Sequence, residues 1–442
     1  MSLNNNESTH TGGHPKPVFT AMNAVAVIVG IVIGIGIFRL PPLVAANASS
    51  GWEFLGFWLA GGLISMIGAL CYAELSAAYP DAGGEYHFLR RAYGSSLGFL
   101  FSWGRMTVIQ TGSIALAGFI LGDYASSILN LGPYSSAIYA AITVVMLTGL
   151  NLWGTHPAKN TQNVVTGSIV VVLLLVSLGS IFGMEGSVDF SLVSGDGTGA
   201  IGDAMIFVLL TYGGWNEAAY LSGELKGVKQ NMSKVLILGI GVITLIYLLV
   251  NYAYLHTMGL EALQQSEVVG ADLTAQLLGE EGAILLSCIV IITAISTANA
   301  TIITGARTNY ALGRDFSILS FLGKWNGRNN TPDNALLVQG AIALILVIVG
   351  AVTKQSITTM VDYTAPVFWF FLLMTGISLF IFRIRDLDIE RPYSVPLYPI
   401  TPLLFVLVSL YMLYSSVVFT GIGALIGVGI LLTGIPVLMM NR

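Results

Sequence analysis

The chain has 442 residues, 55% of them hydrophobic and only 9% charged, where an ordinary soluble domain carries about 25% charged residues. Its 18 basic and 23 acidic side chains, with a formal net charge of −5, cannot clothe a soluble fold of this length. A soluble enzyme and a nucleic-acid binder are excluded, and the composition is that of an all-α polytopic membrane protein.

The charges are clumped as well as scarce. No Asp, Glu, Lys or Arg occurs in 17–38, 54–73, 124–158, 160–184, 235–260, 282–306, 334–353, 363–382 or 392–441, and each stretch reaches the ~20 apolar residues that cross a bilayer as a helix. Residues 1–17 are polar, with Gly12, Gly13, Pro15 and Pro17, and read as a short disordered cytoplasmic tail without a cleavable signal. Twelve spans follow, at about 18–47, 53–79, 97–125, 134–152, 163–184, 200–223, 234–258, 281–304, 333–352, 357–382, 398–419 and 421–440. Strands are a poor alternative, because the runs are too long, lack alternation, and would leave a sheet edge facing lipid.

With an even span count, one side of the membrane collects Lys16, Arg90, Arg91, Lys159, Lys226, Lys229, Lys234, Arg307, Arg314, Lys324, Arg328, Arg383, Arg385, Arg391 and Arg442. The other side holds Lys354 and the acidic residues Glu185, Asp189, Asp196, Glu261, Glu267, Asp272, Glu280 and Glu281. The positive-inside rule then puts both termini in the cytoplasm. The outer segments 185–199 and 259–280 are long enough to cover a vestibule, and the second can form a short surface helix. Segment 305–332 is expected to be the longest inner connection. Cys71 and Cys288 lie inside apolar runs and the five histidines are scattered, so neither a disulfide framework nor a metal site is implied.

Two spans carry breaks. Span 1 contains Gly34-Ile35-Gly36-Ile37-Phe38 followed by Pro41-Pro42, and span 6 contains Tyr212-Gly213-Gly214-Trp215. Glycine there lets the backbone leave the helix and approach a ligand. Either cluster alone reads more readily as a close helix contact than as a binding site. Together, five spans apart, they point to an inverted five-plus-five repeat with a site between its halves. The half-helix beginning near Gly36 offers amides and a positive dipole end to a carboxylate. Half-helices ending near Val32 and Leu210 offer carbonyls to an ammonium. An α-amino acid carries both groups, and burying either bare charge would cost on the order of 20 kcal/mol by an idealised Born estimate.

At these residues the sequence resembles the amino acid–polyamine–organocation (APC) superfamily, in particular its L-type amino acid transporter branch. The resemblance rests on Gly34–Phe38, Tyr72-Ala73-Glu74-Leu75, Pro80-Asp81-Ala82-Gly83-Gly84-Glu85-Tyr86, Tyr212–Asn216, Thr304-Gly305-Ala306-Arg307 with Tyr310-Ala311 and Arg314-Asp315, and Arg391-Pro392-Tyr393 with Val395-Pro396. It implies a leucine-transporter-like fold: a ten-helix transport core over 18–384, with repeats at about 18–184 and 200–384, and two peripheral helices in 385–442. It implies carboxylate-binding amides at Gly34, Ile35 and Gly36, and amine-binding carbonyls at Val32, Leu210 and Gly213. Ile35 replaces the Ser or Thr frequent between the two glycines. Leu210 stands where large-neutral members carry a gating Phe. Ile169 stands where many members carry a lysine in span 5. Ser296 and Thr297 match the hydroxyls of sodium-dependent relatives, so Na+ or H+ is the expected coupling ion, unless both hydroxyls simply bond back to their helix. No Cys lies in 126–133, so no disulfide-linked heavy chain is expected, and the chain reads as prokaryotic.

Arg105 lies about 12 Å into span 3; it is either functional or its stem snorkels back to the surface. Glu217, seven residues before Glu224, is a proton carrier, a partner for a cationic substrate, or a paired carboxylate of an inner gate. Tyr212, Trp215 and Trp369 are candidate lids or walls; aromatics at helical spacing, Trp369 and Phe370 among them, are usually packing, so Trp215 beside the break is the favoured one. Gln110, Thr111, Asn216 and Asn299 can select side chains or join helices. The expectation is a secondary transporter of small or neutral amino acids by alternating access, with no resident cofactor. Its alternatives are a cationic amino acid or polyamine carrier and, from another class, a channel.

Overall fold

The computed structural model of the chain describes residues 20–81, 83–154, 159–184, 201–217, 219, 225, 227–418 and 420–440. The expected tail 1–17, the outer segment 185–199 and Glu224 lie outside the described residues. Nine helices are long and apolar enough to cross a membrane among the described residues, and three shorter apolar helices lie at Ala24–Phe38, Gly167–Gly183 and Ile201–Thr211. Together they stand at the twelve expected spans. Spans 2 to 4 form around Gly51–Ala78, Ser95–Ile128 and Ser135–Leu152, and span 5 around Lys159–Gly183. Spans 9 to 11 are Asp333–Thr353, Ser356–Arg385 and Ile400–Val418. Span 12 divides into Ile422–Leu432 and Gly434–Met440.

Hydropathy locates the bilayer boundary and not the end of a helix, and two spans make the difference plain. Span 7 belongs to Val228–Gln265, interrupted at Gly259 (φ 75°), and span 8 to Val269–Asp315, interrupted at Gly279 (φ 73°). The outer segment 259–280 is therefore largely helical. Span 8 also runs on past Arg307 to Asp315, about three turns beyond its expected end, so the inner connection before span 9 is shorter than expected.

The ends of the spans pair as the charge pattern requires. At the basic end Arg383 forms a fork on Glu74 (2.6 and 2.7 Å), Arg91 meets Asp386 (3.0 Å), Tyr86 donates to Asp315 (2.9 Å), and Asn329 donates to the Leu152 carbonyl (2.9 Å). The last turns of spans 2, 4, 8 and 10 thus share one side. At the opposite end Arg39 meets Asp123 (2.9 Å) and Gln264 donates to the Ala45 carbonyl (3.0 Å). The recurrent residues before span 11 acquire a physical reason as well. Glu74, almost wholly buried, also accepts from the Val395 amide (2.7 Å) and lies 3.7 Å from Arg391.

Candidate functional site

Both expected breaks are real interruptions. The helix Ala21–Val32 stops, Gly34 takes an extended conformation, a short 3-10 turn covers Ile35–Phe38, and a second short helix begins at Pro41. Proline suits that first turn because the amide it lacks would have had no helical partner. In span 6 the helix Ile201–Thr211 gives way to a turn through Gly213 and Gly214 and a 3-10 turn at Trp215–Glu217. Gly214 has φ +105°, a region costly for any residue with a Cβ.

The two breaks touch. A Cβ on Gly214 would lie 2.9 Å from the Ile31 side chain and one on Gly36 would lie 3.4 Å from that of Thr211. Glycine is therefore what lets the chain segments meet. Between them stands Tyr247 of span 7, fully buried, its hydroxyl 2.8 Å from the Val32 carbonyl oxygen and 3.0 Å from that of Thr211. One hydroxyl has one proton, so it serves the two acceptors alternately or unequally. Sequence reasoning missed Tyr247, for it interrupts a long apolar run without any local motif. A buried phenol needing a partner was the available signal.

The predicted main-chain groups divide. The Val32 carbonyl points to the meeting place but is held by Tyr247, and it also accepts from the Gly34 amide (2.8 Å). The Leu210 carbonyl is used inside its own turn, accepting from the Gly213 amide (3.0 Å). Ile35 is buried at the start of the 3-10 turn, and Gly36 gives its carbonyl to the amides of Arg39 and Leu40. In this closed arrangement the breaks enclose a tyrosine hydroxyl in place of an open cavity.

The predicted polar side chains are more dispersed. Gln110 donates to the Thr301 carbonyl (3.0 Å) and the Thr304 hydroxyl (3.1 Å), joining spans 3 and 8. Thr111 bonds back to Thr107 (2.9 Å). Asn299 accepts from Asn151 (2.7 Å), joining spans 8 and 4. Tyr212 donates to the Trp58 carbonyl (2.9 Å). Trp215 packs edge-on to Tyr72 (5.0 Å between ring centres) and fits against Gly68 and Phe405, so it faces span 2 and span 11. Trp369 is buried beside Phe368, and Ile169 is buried. Ser296 and Thr297 are half-buried on span 8, where Thr297 lends its carbonyl to Thr301 (2.9 Å).

Charged latches lie on both sides of the breaks. Toward the basic end, Arg105 sits in a short π-helical turn of span 3, 6% exposed, and does not reach the surface. Snorkelling is thus replaced by a pair with half-buried Glu217: its Nη2 lies 3.0 and 3.2 Å from the two carboxylate oxygens. Beside it Asn216 donates to Glu85 Oε1 (3.2 Å), as does the Tyr72 hydroxyl. Glu85 begins a helix, Glu85–Tyr93, between spans 2 and 3. Toward the other end, Arg39 pairs with Asp123, Tyr124 donates to the Phe38 carbonyl (2.8 Å), and Tyr124 in turn accepts from the Gly270 amide (3.2 Å). Both routes to the breaks are therefore shut.

A protein-family model described as "Amino acid permease" matches residues 19–439, nearly the whole chain. The chain belongs to the amino acid permease family. This permease is 32% identical to the b(0,+)-type amino acid transporter 1 of Mus musculus over 90% of the chain and 82% of that relative. It is 29% identical to the Large neutral amino acids transporter small subunit 2 of Mus musculus, over 95% of the chain and 80% of the relative. The b(0,+)-type transporter 1 of Homo sapiens is 29% identical over 90% and 82%. Among the described residues no group of three or more His, Cys, Asp or Glu is placed to hold a metal ion.

Proposed function

We propose that this amino acid permease is a secondary carrier of small or neutral amino acids that works by alternating access. The observation that carries the reading is the convergence of the Val32 and Thr211 carbonyls on the single buried hydroxyl of Tyr247. An α-ammonium is a stronger, threefold donor and would replace the phenol at that point. The amides of Gly34, Ile35 and Gly36 would then face the substrate carboxylate, as donors at the start of a helical turn do. Opening the turns would release the Leu210 and Gly213 main-chain groups to the same ligand, with Asn216 beside them. The matched breaks support two repeats at about 18–184 and 200–384 and peripheral helices in 385–442.

A neutral side chain is favoured because Glu217 is already paired with Arg105, and a cationic amino acid or polyamine would need that carboxylate. One relative's name specifies large neutral amino acids. The Lys- and Arg-rich ends face the cytoplasm, with both termini inside the cell membrane of a prokaryote. Lacking a cysteine in 126–133, the chain works without a disulfide-linked heavy chain. Ser296 and Thr297 are the place to seek a sodium ion.

The test is counterflow in proteoliposomes preloaded with unlabelled amino acids. Saturable accumulation of labelled substrate is expected, and leakage without saturation would indicate a channel. Replacing sodium by choline decides the cation, since unchanged uptake removes sodium coupling.

A further inference from the structure

Among the described residues, the cluster on the basic side of the span 6 break holds Glu85, Glu217 and Arg105. Glu85 is 6% exposed and Arg105 is 6% exposed, with Glu217 beside the guanidinium. Glu85 is the enclosed carboxylate of the two, Glu217 being half-buried, and a bare charge on Glu85 is costly to bury. Glu217 takes both close contacts from Arg105. Among the described residues the donors to Glu85 are uncharged, the Tyr72 hydroxyl from span 2 and the Asn216 amide from the span 6 break, and both reach the same oxygen, Oε1. Oε1 is thus placed as the carbonyl oxygen of a carboxylic acid, with Oε2 left to carry the hydrogen.

We propose that Glu85 Oε2 is a proton-binding site of the inner gate: the gate closes on the protonated acid and opens as that proton leaves to the cytoplasm. The inference rests on the carrier reading given above. Burial pushes the Glu85 carboxyl up; Tyr72, Arg105 and Asn216 pull it down, and Glu217 pushes it up again, with a net upward result. Opening toward the basic end moves the turn Trp215–Glu217, parting Asn216 from Glu85 and Glu217 from Arg105. Water then reaches Glu85 and the ionised form becomes the stable one.

The test is exchange in proteoliposomes with pH varied on both sides together. The wild type is expected to change rate by about threefold or more between pH 5 and 8, following a one-proton titration. Glu85→Gln keeps the acceptor oxygen, mimics the protonated acid and should flatten the profile. Glu217→Gln removes the neighbouring negative charge that raises the Glu85 carboxyl, so it should move the profile to lower pH. A flat wild-type profile, or a Glu85→Gln profile like that of the wild type, would overturn the proposal. Absence of exchange at every pH would instead sink the carrier reading, and thermal unfolding then decides the proton site. A carboxyl whose folded pKa is raised adds stability at low pH that is lost as pH rises through that pKa. The wild type should therefore show an alkaline-side loss of stability that Glu85→Gln lacks, and equal curves would end the idea.

Discussion

Tyr247 and Arg105 are the residues whose roles depend most on what lies across the fold. Removing the Tyr247 hydroxyl leaves two buried main-chain acceptors short of a donor, worth about 1 kcal/mol or somewhat more. Tyr247→Phe should therefore unfold at a lower temperature without ligand. Its ligand-induced thermal shift should be larger, because the substrate ammonium no longer displaces an internal donor. Equal shifts in both proteins would put the ammonium elsewhere. Arg105 and Glu217 form a pair in which losing either partner removes a charge-assisted contact from the other. Single replacements, Arg105→Met or Glu217→Leu, are expected to cost about 1–2 kcal/mol each, and the double variant to recover part of that. Additive losses in thermal unfolding would show that the pair is not coupled. Neither partnership was legible in the sequence: Arg105 is 112 residues from Glu217 and Tyr247 is 215 from Val32. No periodicity encodes contacts of that range.

At the scale of elements the sequence was far more transparent, because glycine, proline and missing charge act locally. Gly34, Gly36, Pro41 and Pro42 announced the break in span 1, and Gly213 and Gly214 that in span 6. The π-turn over Arg105–Ile109 had no such marker, since its residues are ordinary helix formers. Nor did the helical run of span 8 to Asp315, whose exposed Arg307 and Arg314 read as loop only because hydropathy had ended. The turn at Gly214 gives the sharpest element-level test. Its φ of +105° and the 2.9 Å approach to Ile31 leave no room for a methyl group, and the strain is about 1–3 kcal/mol. Gly214→Ala should reduce transport severely at normal membrane expression. Gly56→Ala, where an added Cβ meets nothing within 4 Å, should leave transport unchanged and raise stability slightly. Equal transport by the two variants would mean that the span 6 turn is not part of the working site.

Across the whole molecule, span 3 carries both latches. Arg105 and Asp123 stand 18 residues apart, about 27 Å along a helix, and each holds the segment that follows a break: Glu217 in span 6 and Arg39 in span 1. Asp123 is steadied in turn by the Ser136 hydroxyl (2.7 Å). A carrier must open one end while the other stays shut, so loosening one latch should shift the population toward that end and away from its opposite. Cysteine reporters in a background lacking Cys71 and Cys288 read this out. Ile37→Cys reports the half of span 1 beside Arg39 and Ala24→Cys the opposite half, both buried in the closed form. Asp123→Asn should speed labelling of Ile37→Cys by a membrane-impermeant thiol reagent and slow that of Ala24→Cys. Glu217→Gln should do the reverse. The reciprocity is the decisive feature, because a general loss of packing would speed both sites together. If either variant accelerates both reporters, span 3 is not the strut that couples the two ends.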